Sequence, residues 1–156
     1  MDYPQRKRTR LQSFDYSTDG YYFVTICTKN KEKLFGYIPD VTENKVIYSD
    51  VGRLVERHIQ QIGNHYQNVQ IDKYVVMPNH IHMIVIIGCS LQGAESNPNL
   101  SDVIGLFKSG VSRELKRKVW QASFHDHIIG TQRSYERIWN YIDVNPLVWN
   151  KDIFFC

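Results

Sequence analysis

A chain of 156 residues is long enough to make one compact domain with a core of its own. No apolar run approaches the length of a membrane span, and the charged N-terminus lacks a signal-peptide apolar stretch, so a cytoplasmic protein with no membrane partner is expected. Cys27, Cys89 and Cys156 are odd in number and form no C-x-x-C pair, which argues against a disulfide framework or a zinc ribbon.

The net charge is only +3, but it is unevenly placed. Arg6, Lys7, Arg8 and Arg10 against Asp2 give residues 1–10 a charge of +3. Lys108, Arg113, Lys116, Arg117 and Lys118 against Glu114 give residues 108–118 a charge of +4, leaving −4 on the remainder. Two concentrated basic segments on a mildly acidic body suit phosphate contacts. The competing reading is a disordered tail and a solvated helix face.

In chain order, residues 1–20 read as a basic N-terminal arm, 21–150 as the folded domain and 151–156 as a C-terminal tail. Tyr21 to Thr28 is a nearly continuous run of strand formers, as a central strand requires. Lys29 to Lys33 make a polar loop, and residues 35–38 and 45–48 an accessory hairpin. Val51, Leu54, Val55, His58, Ile59 and Ile62 then fall on one helical stripe, with Asp50, after Ser49, as the expected N-cap and Gly63 as the expected stop. His58, on that stripe, is expected in the core, and His65 in the loop that follows. Residues 88–100 read as a flexible loop. Ser101 is expected to cap a second helix that buries Ile104, Phe107, Val111 and Leu115 and carries the basic cluster. A short strand ends at Ile128-Ile129. The last helix starts near Thr131, buries Tyr135, Ile138, Trp139 and Ile142, and stops near Asn145 because Pro146 disfavours helix before it.

Two β-branched apolar runs, 69–77 and 80–87, flank Pro78-Asn79 and predict a tight hairpin. Strand alternation puts His80, His82, Ile84 and Ile86 on one face and Ile81, Met83, Val85 and Ile87 on the other. Both faces are apolar, so the strand should be covered on both sides. Two imidazoles side by side on a rigid strand suit a metal ion, although a bare His-x-His is also compatible with satisfied histidines at a strand end.

The element order predicts an α+β, ferredoxin-like βαββαβ antiparallel sheet with an additional C-terminal helix carrying Tyr141. Two helices cover one sheet face, and the face with His80 and His82 receives the extra helix. Tyr141 lies about 110° from the centre of that helix's buried stripe, and Asn145 projects from the same side. There a phenol and an amide would converge on two imidazoles, a set suited to phosphodiester transesterification. A tyrosine of ordinary pKa, about 10, needs a neighbouring charge to act as nucleophile. A divalent cation on His80, His82 and Asn145 would polarise the scissile phosphate. The plainer reading is an interfacial tyrosine and a capping asparagine.

Met77-Pro78-Asn79-His80-Ile81-His82 resembles the His-hydrophobic-His motif of single-tyrosine transposases. Tyr141-Ile142-x-x-Asn145-Pro146 resembles the tyrosine helix of their REP-associated branch, relatives of insertion-sequence transposases that act on repetitive extragenic palindromes. Asp15-Tyr16-Ser17, Tyr22 to Thr28, Leu34-Phe35-Gly36, Phe107-Lys108-Ser109, Trp120 and Phe124-His125-Asp126-His127 extend the resemblance over nearly the whole chain, in the family's order. It implies an enzyme that binds a DNA hairpin and cuts single-stranded DNA beside it through a covalent 5′-phosphotyrosine, leaving a 3′-hydroxyl and rejoining strands by reversal. Tyr141 maps to the nucleophile, and His80 and His82 to ligands of Mg²⁺ or Mn²⁺. Asn145 stands where insertion-sequence relatives have Gln; one methylene shorter, it reaches the metal directly or through water. His125-x-His127 receives no ligand role. Arg6, Arg8, Arg10, Lys108, Arg113, Lys116 and Arg117 become candidate DNA contacts.

Two other readings stand beside this one. A non-catalytic ferredoxin-like nucleic-acid module would stack bases on an aromatic sheet face. A zinc hydrolase built on His80 and His82 lacks an obvious third ligand and a catalytic carboxylate. A monomer whose tyrosine acts in its own site and a homodimer that exchanges tyrosine helices are both open.

Overall fold

The computed structural model describes residue 16, residues 19–88 and residues 96–151. Most of the N-terminal arm, with Arg6, Arg8 and Arg10, lies outside the described residues, as do 89–95 and 152–156. Chain order runs β1 (Gly20–Cys27), an accessory hairpin β2 (Gly36–Tyr37) and β3 (Ile47–Tyr48), then α1 (Asp50–His65), β4 (Val69–Val76) and β5 (His80–Ile87). It continues with α2 (Leu100–Leu115), β6 (His125–Ile129), α3 (Gln132–Asp143) and a 3₁₀ segment, Asn145–Lys151. With the accessory hairpin set aside this is the expected βαββαβ series. The sheet order is β4-β5-β1-β6 with every pairing antiparallel, the ferredoxin-like arrangement with one additional C-terminal helix.

The strand alternation sorts as the pattern requires. Ile81, Met83, Val85 and Ile87 enter the main core with Val24 and Ile26 of β1 and the apolar stripes of α1 and α2. All eight residues of β5 are buried, because α3 packs over β4 and β5 from the other side. Gly52 lets α1 approach the accessory segment: a Cβ there would run into the Phe35 carbonyl oxygen.

Several local expectations are corrected. Ser49, not Asp50, caps α1, its hydroxyl accepting from the Gly52 N–H at 3.0 Å. The helix continues through Gly63 to His65, so His65 ends the helix and is not in the loop. Gly63 has no left-handed φ to stop it. Asn99, not Ser101, caps α2, accepting from the Ser101 N–H at 2.8 Å, and Lys116 closes that helix in the left-handed conformation at φ 56°. His58 is not a core residue. Its ring is half-buried, with Nε2 2.6 Å from a Glu114 carboxylate oxygen, tying α1 to α2 and holding that carboxyl below its usual range.

One feature of β4 positions the last helix. The register slips between Ile71 and Lys73, making Asp72 a bulged residue. Tyr135 donates to Asp72 at 2.5 Å, while the Lys73 ammonium lies 2.8 Å from Asp143 and 3.9 Å from the Trp139 ring centroid. From the accessory segment, the Asn44 amide donates to the Asp143 carbonyl at 2.9 Å. Three contacts from β4 and one from the accessory segment thus fix α3 in place.

Candidate active site

The Pro78-Asn79 turn is buried and tied on three sides. Met77 N–H donates to the His80 carbonyl at 2.8 Å, Thr28 N–H to that of Asn79 at 3.0 Å, and Phe35 N–H to that of Pro78 at 3.0 Å. The strand that leaves this turn carries both imidazoles on the face away from α1 and α2. Their ring centroids are 4.6 Å apart at 71°. His80 is fully buried, its Nδ1 2.7 Å from Asn79 Oδ1 and its ring stacked on Trp149 at 6.0 Å. His82 has Nδ1 2.8 Å from Thr25 Oγ1 and stacks on Phe23 at 5.3 Å.

An amide oxygen can only accept. With Asn79 Oδ1 as partner, Nδ1 of His80 carries the proton and Nε2 presents its lone pair. Thr25 holds the second ring by the same nitrogen, so both imidazoles can offer Nε2.

Tyr141 sits in the last turn of α3, 37% exposed, as its off-stripe position predicts. Its hydroxyl is 3.5 Å from His82 Nε2, and its ring meets His82 at 5.2 Å and Phe23 edge-on at 6.2 Å. Asn145, just past the helix end, is fully buried, and neither end of its side-chain amide has a hydrogen-bond partner. Tyr141, Asn145 and Trp149 follow at four-residue spacing, and the outer two touch His82 and His80 respectively. An unsatisfied buried amide is costly unless something binds it, and the negative end of the α3 dipole favours a cation here. Imidazole nitrogens and an amide oxygen are a donor set whose chemistry suits a divalent ion such as Mn²⁺ better than Mg²⁺. Among the described residues no three His, Cys, Asp or Glu side chains converge.

Other candidates are placed elsewhere. Lys108 turns inward, its ammonium donating to the Gln121 and Ser123 carbonyls at 2.8 and 3.3 Å. Arg113 and Lys116 are exposed on α2, and Arg117 pairs with Glu32 at 3.2 Å. All lie on the helix-covered side of the sheet, not with the histidines. His125 and His127, by contrast, are exposed on β6 opposite Thr25 and Phe23, and so share the sheet face of the imidazole pair. Thr25, Asn79 and Trp149 were not foreseen as site residues. The spacing of Trp149 from Asn145 was a readable signal, whereas the pairing of Thr25 with His82 depends on strand register.

The fold is similar to that of a solved REP-associated tyrosine transposase bound to a REP hairpin. The two share 19% identity and a TM-score of 0.64, over 91% of this chain and 73% of that one. That solved protein is of the class the sequence motifs resemble, so motif and fold agree. The chain is 32% identical to an uncharacterized protein of Haemophilus influenzae over 167 aligned residues, 94% of this chain and 91% of that one, and belongs to the same family as that protein. No protein-family model matches the chain. No helix among the described residues is long and apolar enough to cross a membrane.

Proposed function

We propose that the protein is a metal-dependent single-stranded DNA endonuclease and strand transferase, cutting next to DNA hairpins through a covalent 5′-phosphotyrosine. The observation that carries this is the Tyr141 hydroxyl, 3.5 Å from Nε2 of His82 in its own chain. The phenol oxygen attacks the phosphorus, the bond to the 3′ oxygen breaks, and the phenol proton passes through water to that oxygen, leaving a 3′-hydroxyl. Reversal restores the phosphodiester. Nε2 of His80, Nε2 of His82 and Oδ1 of Asn145 would hold Mn²⁺ or Mg²⁺, which supplies Lewis-acid stabilisation of the phosphate oxygens. Thr25 and Asn79 orient the imidazoles from behind, and Trp149 and Phe23 shield them from water. The phenol's place beside the histidines of its own chain supports a monomer acting in its own site over helix exchange.

The likeness to a transposase bound to a REP hairpin supports hairpin DNA as the partner. Incubation with labelled single-stranded palindromic DNA and Mn²⁺ should yield a protein–DNA band that survives denaturant. Tyr141→Phe should lose the band and keep hairpin binding. The exposed ring of Tyr21 on the open part of the same sheet face favours the second reading, a non-catalytic nucleic-acid module. Under that reading wild type forms no adduct and Tyr141→Phe changes nothing.

A further inference from the structure

Among the described residues, α3 packs mainly over β4 and β5 on the sheet face that carries the histidines, and Tyr21 of β1 and His125 and His127 of β6 beside it are exposed. Phe23 and Tyr21, two residues apart on β1, share that face. Phe23 meets the Tyr141 ring at 6.2 Å, and Tyr21 meets the Tyr135 ring edge-on at 5.5 Å. A row of rings therefore leads away from the candidate nucleophile along β1. At its end is an open cavity of about 320 Å³ lined by Tyr21, Ile129, Gly130, Thr131, Gln132 and Tyr135.

We propose that this cavity takes one unpaired nucleobase of the strand whose phosphate is presented to Tyr141. The inference rests on the nuclease reading given above. None of the six lining residues is charged, so the phosphates stay outside and a neutral, flat group enters. Two phenol rings and Ile129 supply the stacking surface, and the Gln132 carboxamide offers a donor and an acceptor to a base edge. The volume lies near the lower end, roughly 300 Å³, of small-molecule pockets, which suits a single base and not a duplex. From Thr25, level with His82, to Tyr21 the strand advances about 13 Å at roughly 3.3 Å per residue. With stacked nucleotides about 3.4 Å apart, the captured base stands about four positions from the attacked phosphate, fewer if the strand is stretched.

Two variants test the cavity without dismantling the fold. Tyr21→Ala removes a partly exposed stacking ring. Gly130→Trp fills the space, since a Cβ there meets nothing within 4 Å. Hairpin DNA with an unpaired flank is used, made abasic one flank position at a time, and read for binding and for the covalent adduct. In wild type, one abasic position should weaken binding about fivefold or more, as loss of one stacked base implies. In both variants the intact DNA should bind as weakly as that abasic DNA, with no further loss at the position. If wild type forms the adduct but no flank position matters, or if both variants bind like wild type, the cavity assignment is overturned while the role of Tyr141 stands. If wild type forms no adduct on any hairpin strand, the nuclease reading is overturned and the base pocket with it.

Discussion

Thr25 and Asn79 decide how the two imidazoles face. Each holds an Nδ1, at 2.8 and 2.7 Å. Valine in place of Thr25 keeps the shape and the strand propensity but removes the anchor. Such partners are typically worth about 10–100-fold in metal affinity or activity, so adduct formation by Thr25→Val should slow by that factor. The cost in stability is one unsatisfied imidazole nitrogen, about 1–3 kcal/mol, or roughly 2–10 °C in Tm. An unchanged rate would mean that stacking on Phe23 alone orients the ring. Asn145 makes the opposite exchange. Its buried amide is unsatisfied at both ends, so Asn145→Leu should raise the metal-free Tm by about 2–10 °C. The same variant should lose most of the Tm increase that Mn²⁺ gives wild type. A lowered metal-free Tm would show that the amide supports the fold and would remove it from the ligand set.

α3 delivers the tyrosine, and its seat depends on a β-bulge. Tyr135 donates to Asp72, and this bond to a carboxylate pushes its phenol up to about 12. The unfolded value is about 10. A raised folded pKa means the stabilisation is complete below about pH 10 and fades as pH rises towards 12. The difference in unfolding free energy between wild type and Tyr135→Phe should therefore be constant through neutral pH and shrink above about pH 10. A gap that persists into strong alkali would dissociate Tyr135 from Asp72. The helix itself, its stop before Pro146 and the off-stripe place of Tyr141 were legible in the sequence, because periodicity and proline sterics are local. The bulge at Asp72 was not, since it is a relation between β4 and β5 that neither strand states alone. The caps were misassigned by one or two residues for a similar reason: Ser49 and Asp50, or Asn99 and Ser101, are both good cap residues, and backbone geometry chooses between them.

On the scale of the molecule, the sheet separates two kinds of surface. The side away from α1 and α2 holds the imidazoles, the tyrosine and the ring-lined track, while the basic residues of α2 lie on the other. They meet at one end of the sheet. The Lys29 N–H donates to the Val119 carbonyl at 2.8 Å, Arg117 pairs with Glu32, and Thr28 is bonded to the Asn79 turn. Lys33 lies 5.9 Å from the Trp149 ring, which covers His80. Lys29, Lys31, Lys33, Lys116 and Lys118, all exposed, are therefore the candidates for a cationic rim at that end of the sheet, where the two sides meet. Lys108 belongs to the fold and not to that rim, because its ammonium is spent on two backbone carbonyls. The salt dependence of single-strand binding separates the two roles. Each phosphate contact contributes about 0.7 to the slope of log K against log salt. Lys116→Gln combined with Lys118→Gln should flatten the slope by up to about 1.4, with little change in Tm. Lys108→Gln should leave the slope unchanged and lower Tm by about 2–10 °C, as two carbonyls lose a charged donor. A flattened slope with an unchanged Tm for Lys108→Gln would move that lysine from the scaffold to the DNA.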